Sequence, residues 1–199
     1  MTIALIDTGC ANIASVRFAL ERVGLDHAVV TSPAGAADCD RIILPGVGAA
    51  GPAMARLAER GWVEALKRDD RPLLGICLGM QMLFERSEEG DADCLGLLPG
   101  TVERLPRPAG LVWPHMGWNS LEGLAVGEPL LTGVPSGSHA YFVHGFYVPA
   151  GRVTQAQCDY GVPVSAIVRQ GQVSGCQFHP ERSGAVGARI LSNFASIKA

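Results

Sequence analysis

The chain has 199 residues, 48% hydrophobic and 18% charged, with a formal net charge of −3 and a pI near 5.9. That length and balance suit one globular α/β domain with a sizeable core, and exclude a disordered segment. No basic block points to nucleic acid, and no apolar run reaches the ~20 residues of a membrane span.

Thr2 to Ile6 reads as a buried strand. Its apolar run stops at Asp7 and has no basic start, so it is read as a first strand and not as a signal peptide. Asp7-Thr8-Gly9-Cys10-Ala11-Asn12 is a turn. Asn12 is a plausible N-cap for a helix with Ile13, Val16, Leu20 and Val23 on one face, closed by Gly24. His27 to Thr31 is a second strand, Ser32 to Asp38 a loop or short helix, and Arg41 to Leu44 a third strand ending in Pro45-Gly46-Val47-Gly48. A helix opens near Pro52 and runs to about Arg68, broken at Gly61. Leu73, Leu74 and Ile76 form a further strand, which turns at Gly75-Ile76-Cys77-Leu78-Gly79 into a helix through Phe84.

Strands alternating with helices imply a doubly wound, mostly parallel sheet with flanking helices. Its ligands bind beyond the carboxyl ends of the strands, where the Asp7–Asn12 turn, the Pro45–Gly48 loop and Cys77 all fall. The second half is richer in Gly and Pro. Strand candidates are Gly100–Leu105, Trp118–Leu121, Ala140–Val148, Val153–Cys158, Val164–Arg169 and Val173–Phe178, several of them antiparallel additions. A last helix presents Val186, Ile190, Leu191, Phe194 and Ile197 on one face. No repeat or linker divides the chain, so residues 1–199 read as a single domain.

The six cysteines, Cys10, Cys39, Cys77, Cys94, Cys158 and Cys176, include no C-x-x-C pair, which argues against a zinc site. Without an export signal a disulfide framework is not expected either, and a reducing cytoplasm is the expected compartment. Cys77 has a special context. Gly-x-Cys-x-Gly is the nucleophile-elbow pattern, in which flanking glycines let one side chain project alone at a tight strand-to-helix turn. The following helix dipole is expected to favour a thiolate there. A buried cysteine in an ordinary crossover is the plain alternative.

A cysteine nucleophile needs a base and a group to orient it. His179-Pro180-Glu181 puts an imidazole and a carboxylate on one short loop, although the same residues also suit a helix-capping loop. An oxyanion hole could take the amide of Leu78 and a second donor from Pro45–Gly48. Gln81, four residues after Cys77, shares its helix face and could hydrogen-bond a substrate amide or carboxylate.

Pro45-Gly46-Val47-Gly48, Gly75-Ile76-Cys77-Leu78-Gly79-Met80-Gln81 and His179-Pro180-Glu181, in this order, resemble the class I (triad) glutamine amidotransferase family. Asp7–Asn12, Pro114-His115-Met116-Gly117-Trp118-Asn119, Tyr141-Phe142-Val143-His144 and His179–Gly184 are similar, within it, to the glutaminase subunits of imidazole glycerol phosphate synthases. The resemblance implies that Cys77 attacks the glutamine side-chain amide, that His179 moves the protons, and that Glu181 orients His179. It implies a (β/α)8 cyclase subunit as heterodimer partner, receiving the ammonia for histidine biosynthesis, and no metal or organic cofactor. Carried over by position, the Gly46 and Val47 amides match the oxyanion strand, Gly48 and Gln81 match substrate contacts, and Asn12, Trp118 and Arg182 match the cyclase face. His115 and His144 are read as structural or interface residues. The chain departs from the family pattern at Gly145-Phe146, where Ser or Thr and then Tyr are usual. In the family those two positions hold the glutamine α-groups largely through backbone atoms, so the resemblance implies that activity survives the loss of the hydroxyl. A glutaminase serving another synthase, a stand-alone γ-glutamyl cysteine hydrolase and a non-catalytic scaffold remain as alternatives.

Overall fold

The computed structural model describes residues 1–9, 12–107 and 110–198. Cys10 and Ala11 of the first turn lie outside the described residues. In chain order the elements are β1 (Ile3–Ile6), α1 (Ile13–Arg22), β2 (His27–Val30), β3 (Arg41–Gly46), α2 (Ala50–Glu59), α3 (Trp62–Lys67), β4 (Leu73–Cys77) and α4 (Leu78–Gln81). Then come β5 (Arg86–Ser87), β6 (Ala92–Asp93), β7 (Thr101–Arg104), β8 (His115–Ser120), β9 (His139–His144), β10 (Phe146–Tyr147), β11 (Thr154–Asp159), β12 (Pro163–Gln170), β13 (Val173–Cys176) and α5 (Gly184–Ser196).

Seven strands form the central sheet in the order β11-β12-β13-β4-β3-β1-β2. The β2-β1-β3-β4-β13 portion is parallel, and β12 and β11 add antiparallel strands at one edge. This is the doubly wound, mostly parallel sheet expected. Successive side chains of a strand point to opposite faces, and β1 feeds both cores accordingly. Ile3 and Leu5 pack on the side of α1 and α5 with Leu20, Ile190 and Phe194, and Ala4 and Ile6 pack on the side of α2 and α3 with Leu57, Trp62 and Leu66. Asn12 caps α1 by accepting the Ser15 amide at 3.3 Å, and Gly61, at φ 74°, divides α2 from α3.

Three differences from the sequence reading have local causes. The helix after the elbow is one turn and stops at Gln81, short of Phe84. The carbonyls of Met82, Leu83 and Phe84 accept instead from the amides of Leu95, Gly96, Leu97 and Leu98, which folds their side chains fully inward. A dipole from one turn is small, so it cannot be the main electrostatic influence on Cys77. The single strand expected over Ala140–Val148 is two: β9 pairs with β8 and β10 with β7, the chain changing sheets at Gly145. The two-residue strands β5 and β6 form a small sheet with β7 and β10 that the sequence pattern did not indicate.

The elbow rests on backbone-to-backbone packing. A Cβ on Gly79 would lie 1.8 Å from the Leu44 carbonyl oxygen, and one on Gly75 would lie 2.6 Å from the Met80 nitrogen. α4 can lie on β3 and β4 only because both positions lack a side chain. Gly79→Ala is therefore expected to destabilise the fold by about 3 kcal/mol or more, the upper end for an overpacked site. Urea unfolding of the purified variant measures this; a loss under about 1 kcal/mol contradicts the close packing.

Candidate active site

Cys77 ends β4 and caps α4 with φ 54° and ψ −112°. Such a positive-φ conformation in a residue with a side chain costs about 1–3 kcal/mol and marks sites where the surroundings over-determine the backbone. Gly46 leaves room for the turn, pairing in register with Cys77 across β3 and β4 at a place where a Cβ would lie 2.8 Å from the Gly79 nitrogen.

His179 arrives from the neighbouring strand. β13 runs parallel to β4 with Cys176 beside Ile76, so the residues just past both strands emerge at one edge. The His179 amide donates to the Tyr141 carbonyl at 2.9 Å, and the Ser183 hydroxyl donates to the His179 carbonyl at 2.7 Å. Residues Pro180–Arg182 form a 3-10 turn that brings Glu181 Oε1 to 2.8 Å from His179 Nδ1. With Nδ1 held, Nε2 is left for Cys77. Burial opposes a charge on His179, but the Cys77 sulfur and the Glu181 carboxylate outweigh it, lifting its pKa from 6.5 to about 10. Among the described residues Glu181 Oε2 has no hydrogen-bond partner, so this buried carboxylate is committed to the imidazole.

A cavity of about 180 Å³ opens over the sulfur, bounded by Val47, Gly48, Gln81, Gly145, Phe146 and Glu89. The volume accommodates one amino acid. Its wall is fixed by polar contacts converging on the Phe146 carbonyl, which accepts from Gln81 Nε2 at 2.8 Å and lies 2.9 Å from His144 Nδ1. The carbonyl can only accept, so His144 carries its proton on Nδ1 and its Nε2 accepts from His115 Nδ1 at 2.9 Å. His115 Nε2 in turn accepts from Asn119 at 3.3 Å. Burial holds both histidines neutral, with pKa values near 4 for His115 and near 3 for His144, the latter lowered further by His115. They are structural members of the wall, not bases.

The expected site residues largely converge. Leu78 opens α4, so its amide has no partner within the helix. Val47 is 41% exposed at the cavity mouth, and Gly48 has φ 94°. Gln81 is buried with both amide hydrogens engaged, by Phe146 and by Gln177 Oε1 at 2.9 Å, so it can offer a ligand its carbonyl oxygen. Gly145 lines the cavity, and the Trp113 ring fills the space beside it: a Cβ there would lie 2.8 Å from Trp113 Cζ2. Asn12, Trp118 and Arg182 are exposed at the same end of the sheet, with Trp118 edge-on to Tyr141 and Arg182 stacked over the Tyr141 ring at 5.7 Å. Trp118 is 57% exposed, which removes the core alternative. Cys39, Cys77, Cys94, Cys158 and Cys176 are free thiols.

Two members of the site have no signal in the sequence pattern. Glu89 follows β5, accepts the Ala50 amide at 3.0 Å, and brings a carboxylate to the cavity; burial raises its pKa, offset in part by that amide. Gln177 is fully buried with Nε2 3.8 Å from the Cys77 sulfur.

A family model described as glutamine amidotransferase class-I matches residues 4–197. The chain is 54% identical over 197 residues to imidazole glycerol phosphate synthase subunit HisH of Xylella fastidiosa, covering 99% of this chain and 98% of that one. It is 54% identical to the subunit of the same name from Xanthomonas euvesicatoria, covering 96% of each. Among solved structures, a glutamine amidotransferase crystal structure superposes with a TM-score of 0.74 at 22% identity over 97% of both chains. PurLQS from Thermotoga maritima superposes at 0.73 and 20% identity, over 98% of this chain and 97% of that one. At these identities the two structures bear on the fold alone.

Two measurements test the geometry. His179 has a raised pKa, so the stability it contributes is complete below pH 6.5 and is lost as pH rises through about 10. Glu181→Gln is expected to move the imidazole titration, followed by NMR, back toward 6.5; an unmoved titration contradicts the pairing. Gly145→Ser drives its Cβ into Trp113. It is expected to raise KM for glutamine severalfold, and adding Trp113→Leu is expected to reverse most of that.

Proposed function

The chain belongs to the class I glutamine amidotransferase family, and we propose that it is the glutaminase subunit of an imidazole glycerol phosphate synthase. It hydrolyses glutamine to glutamate and ammonia and passes the ammonia to a (β/α)8 cyclase subunit in histidine biosynthesis. The observation that carries this reading is Cys77 at a positive-φ elbow beside His179, itself held at Nδ1 by Glu181, in a cavity that accommodates an amino acid.

In the proposed mechanism the Cys77 sulfur attacks the glutamine side-chain carbonyl carbon. The Leu78 amide, with a second donor from the Gly46–Val47 segment, stabilises the oxyanion that forms. His179, protonated beside the sulfur, delivers its proton to the leaving nitrogen, and ammonia departs from a glutamyl thioester. A water attacks the thioester, His179 takes its proton, and glutamate leaves as the thiol or its ion pair is restored. Gly48, Gln81, Gly145 and Phe146 hold the substrate, and the Glu89 carboxylate is suited to its α-ammonium group. Asn12, Trp118 and Arg182 lie on the face assigned to the cyclase. No cofactor takes part in these steps. Residues 1–199 act as one amidotransferase domain, and the free thiols suit a cytoplasmic location. No helix among the described residues is long and apolar enough to cross a membrane.

The 54% identity to a synthase subunit over nearly the whole chain favours this reading over a free-standing hydrolase of γ-glutamyl peptides. In the complex assembled with the cyclase, Cys77→Ala is expected to abolish imidazole glycerol phosphate formation from glutamine while leaving formation from ammonium salts within about twofold of wild type. Retained glutamine-dependent synthesis would falsify the nucleophile assignment.

A further inference from the structure

We infer that Gln177 is a catalytic residue: its side-chain amide donates to the Cys77 sulfur and stabilises negative charge there, and Gln81 fixes the sense in which it points. This rests on the reading of Cys77 as the nucleophile.

The argument begins at a group that cannot be turned around. The Phe146 carbonyl only accepts, so the Gln81 end 2.8 Å from it is the NH2. That same Nε2 lies 2.9 Å from the side chain of Gln177, and a donor there requires the Gln177 carbonyl to face it. The Gln177 NH2 is then left pointing at the sulfur, 3.8 Å away. The orientation of both amides follows from one backbone oxygen.

The sulfur has an opposing neighbour. The Val143 carbonyl oxygen lies 3.7 Å from it, a suitable acceptor for a thiol hydrogen and a repulsive one for a thiolate. Gln177 supplies the opposite dipole. It favours the charged sulfur, as hydrogen bonds to the ionised form do, and it does so without contributing a titrating proton. The titratable groups around the sulfur are His179 with Glu181 behind it, Cys176 on β13, His144 on β9 and, across the cavity, the Glu89 carboxylate, which is unchanged in both variants tested below. Cys176 is held as a thiol by burial and His144 is neutral, so His179 is the charge and Gln177 the neutral donor that flank the nucleophile. Gln177 is fully buried and two residues before His179. Its backbone amide donates to the Ala166 carbonyl at 2.9 Å on β12.

The test is the pH dependence of Cys77 alkylation by iodoacetamide in the full chain, followed on the Cys77 peptide by mass spectrometry without glutamine. Gln177→Met keeps the length, removes the donor and adds no charge. The midpoint of its alkylation profile is expected to rise by about one pH unit, with kcat for glutamine hydrolysis in the assembled complex down about tenfold and KM within twofold. Gln81→Met does not touch the sulfur but frees the Gln177 amide to rotate, and is expected to raise the midpoint by a smaller amount. If Gln177→Met fails to fold, Gln81→Met carries the test alone. An unchanged midpoint in a folded variant overturns the inference while leaving the nucleophile in place. Wild-type Cys77 alkylating no faster than the half-buried Cys94 would instead overturn the nucleophile reading itself.

Discussion

The contact of the Gly79 backbone with the Leu44 carbonyl is the constraint from which the rest of the site follows. α4 sits directly on the sheet, with no side chain between helix and strand, and the chain must therefore turn within a single residue. Cys77 is that residue, and its positive φ is the consequence. The same closeness puts the Leu78 amide, the Cys77 sulfur and the end of β3 within one small volume. A looser crossover would bury the cysteine among side chains and leave the amide facing solvent.

Around this elbow, the polar groups form a directed network. Gln81, Gln177, His144, His115 and Asn119 each have one of two possible orientations, and the Phe146 carbonyl selects among them. The network spans β8, β9, β10, α4 and the residue after β13, elements brought together only by the tertiary fold. Buried polar chains of this kind are stabilising when every member is satisfied and costly otherwise. Here they give the cavity a wall tied together by hydrogen bonds.

The elements that sequence made legible are those with a physical period or a fixed turn chemistry. β1, β3 and β4 are continuous apolar runs because both faces are covered; α1 and α5 show their stripe, and Gly61 its break. Cys77, His179 and Glu181 were legible because the elbow glycines and the His-Pro-Glu loop are local. The end of α4 was not, since amide donors from Leu95 to Leu98 decide it. Two-residue strands such as β5 and β6 have no period to read, so Glu89 beside them had no signal. Gln177 looks like any polar residue in a strand until Gln81 is placed against it. The match of Trp113 to Gly145 likewise joins residues whose neighbourhood exists only in three dimensions.

The strand order has a bearing on how the chain is made. β13 is inserted between β4 and β12, so β4 has an unpaired edge until residues 173–176 have been synthesised. His179 and Glu181 follow immediately behind that strand. A ribosome-bound chain thus carries its reactive cysteine for a hundred residues of elongation without the base that would arm it. Cys77, His179 and Glu181 can come together only when the sheet closes, by which time the face bearing Trp118 has also been made.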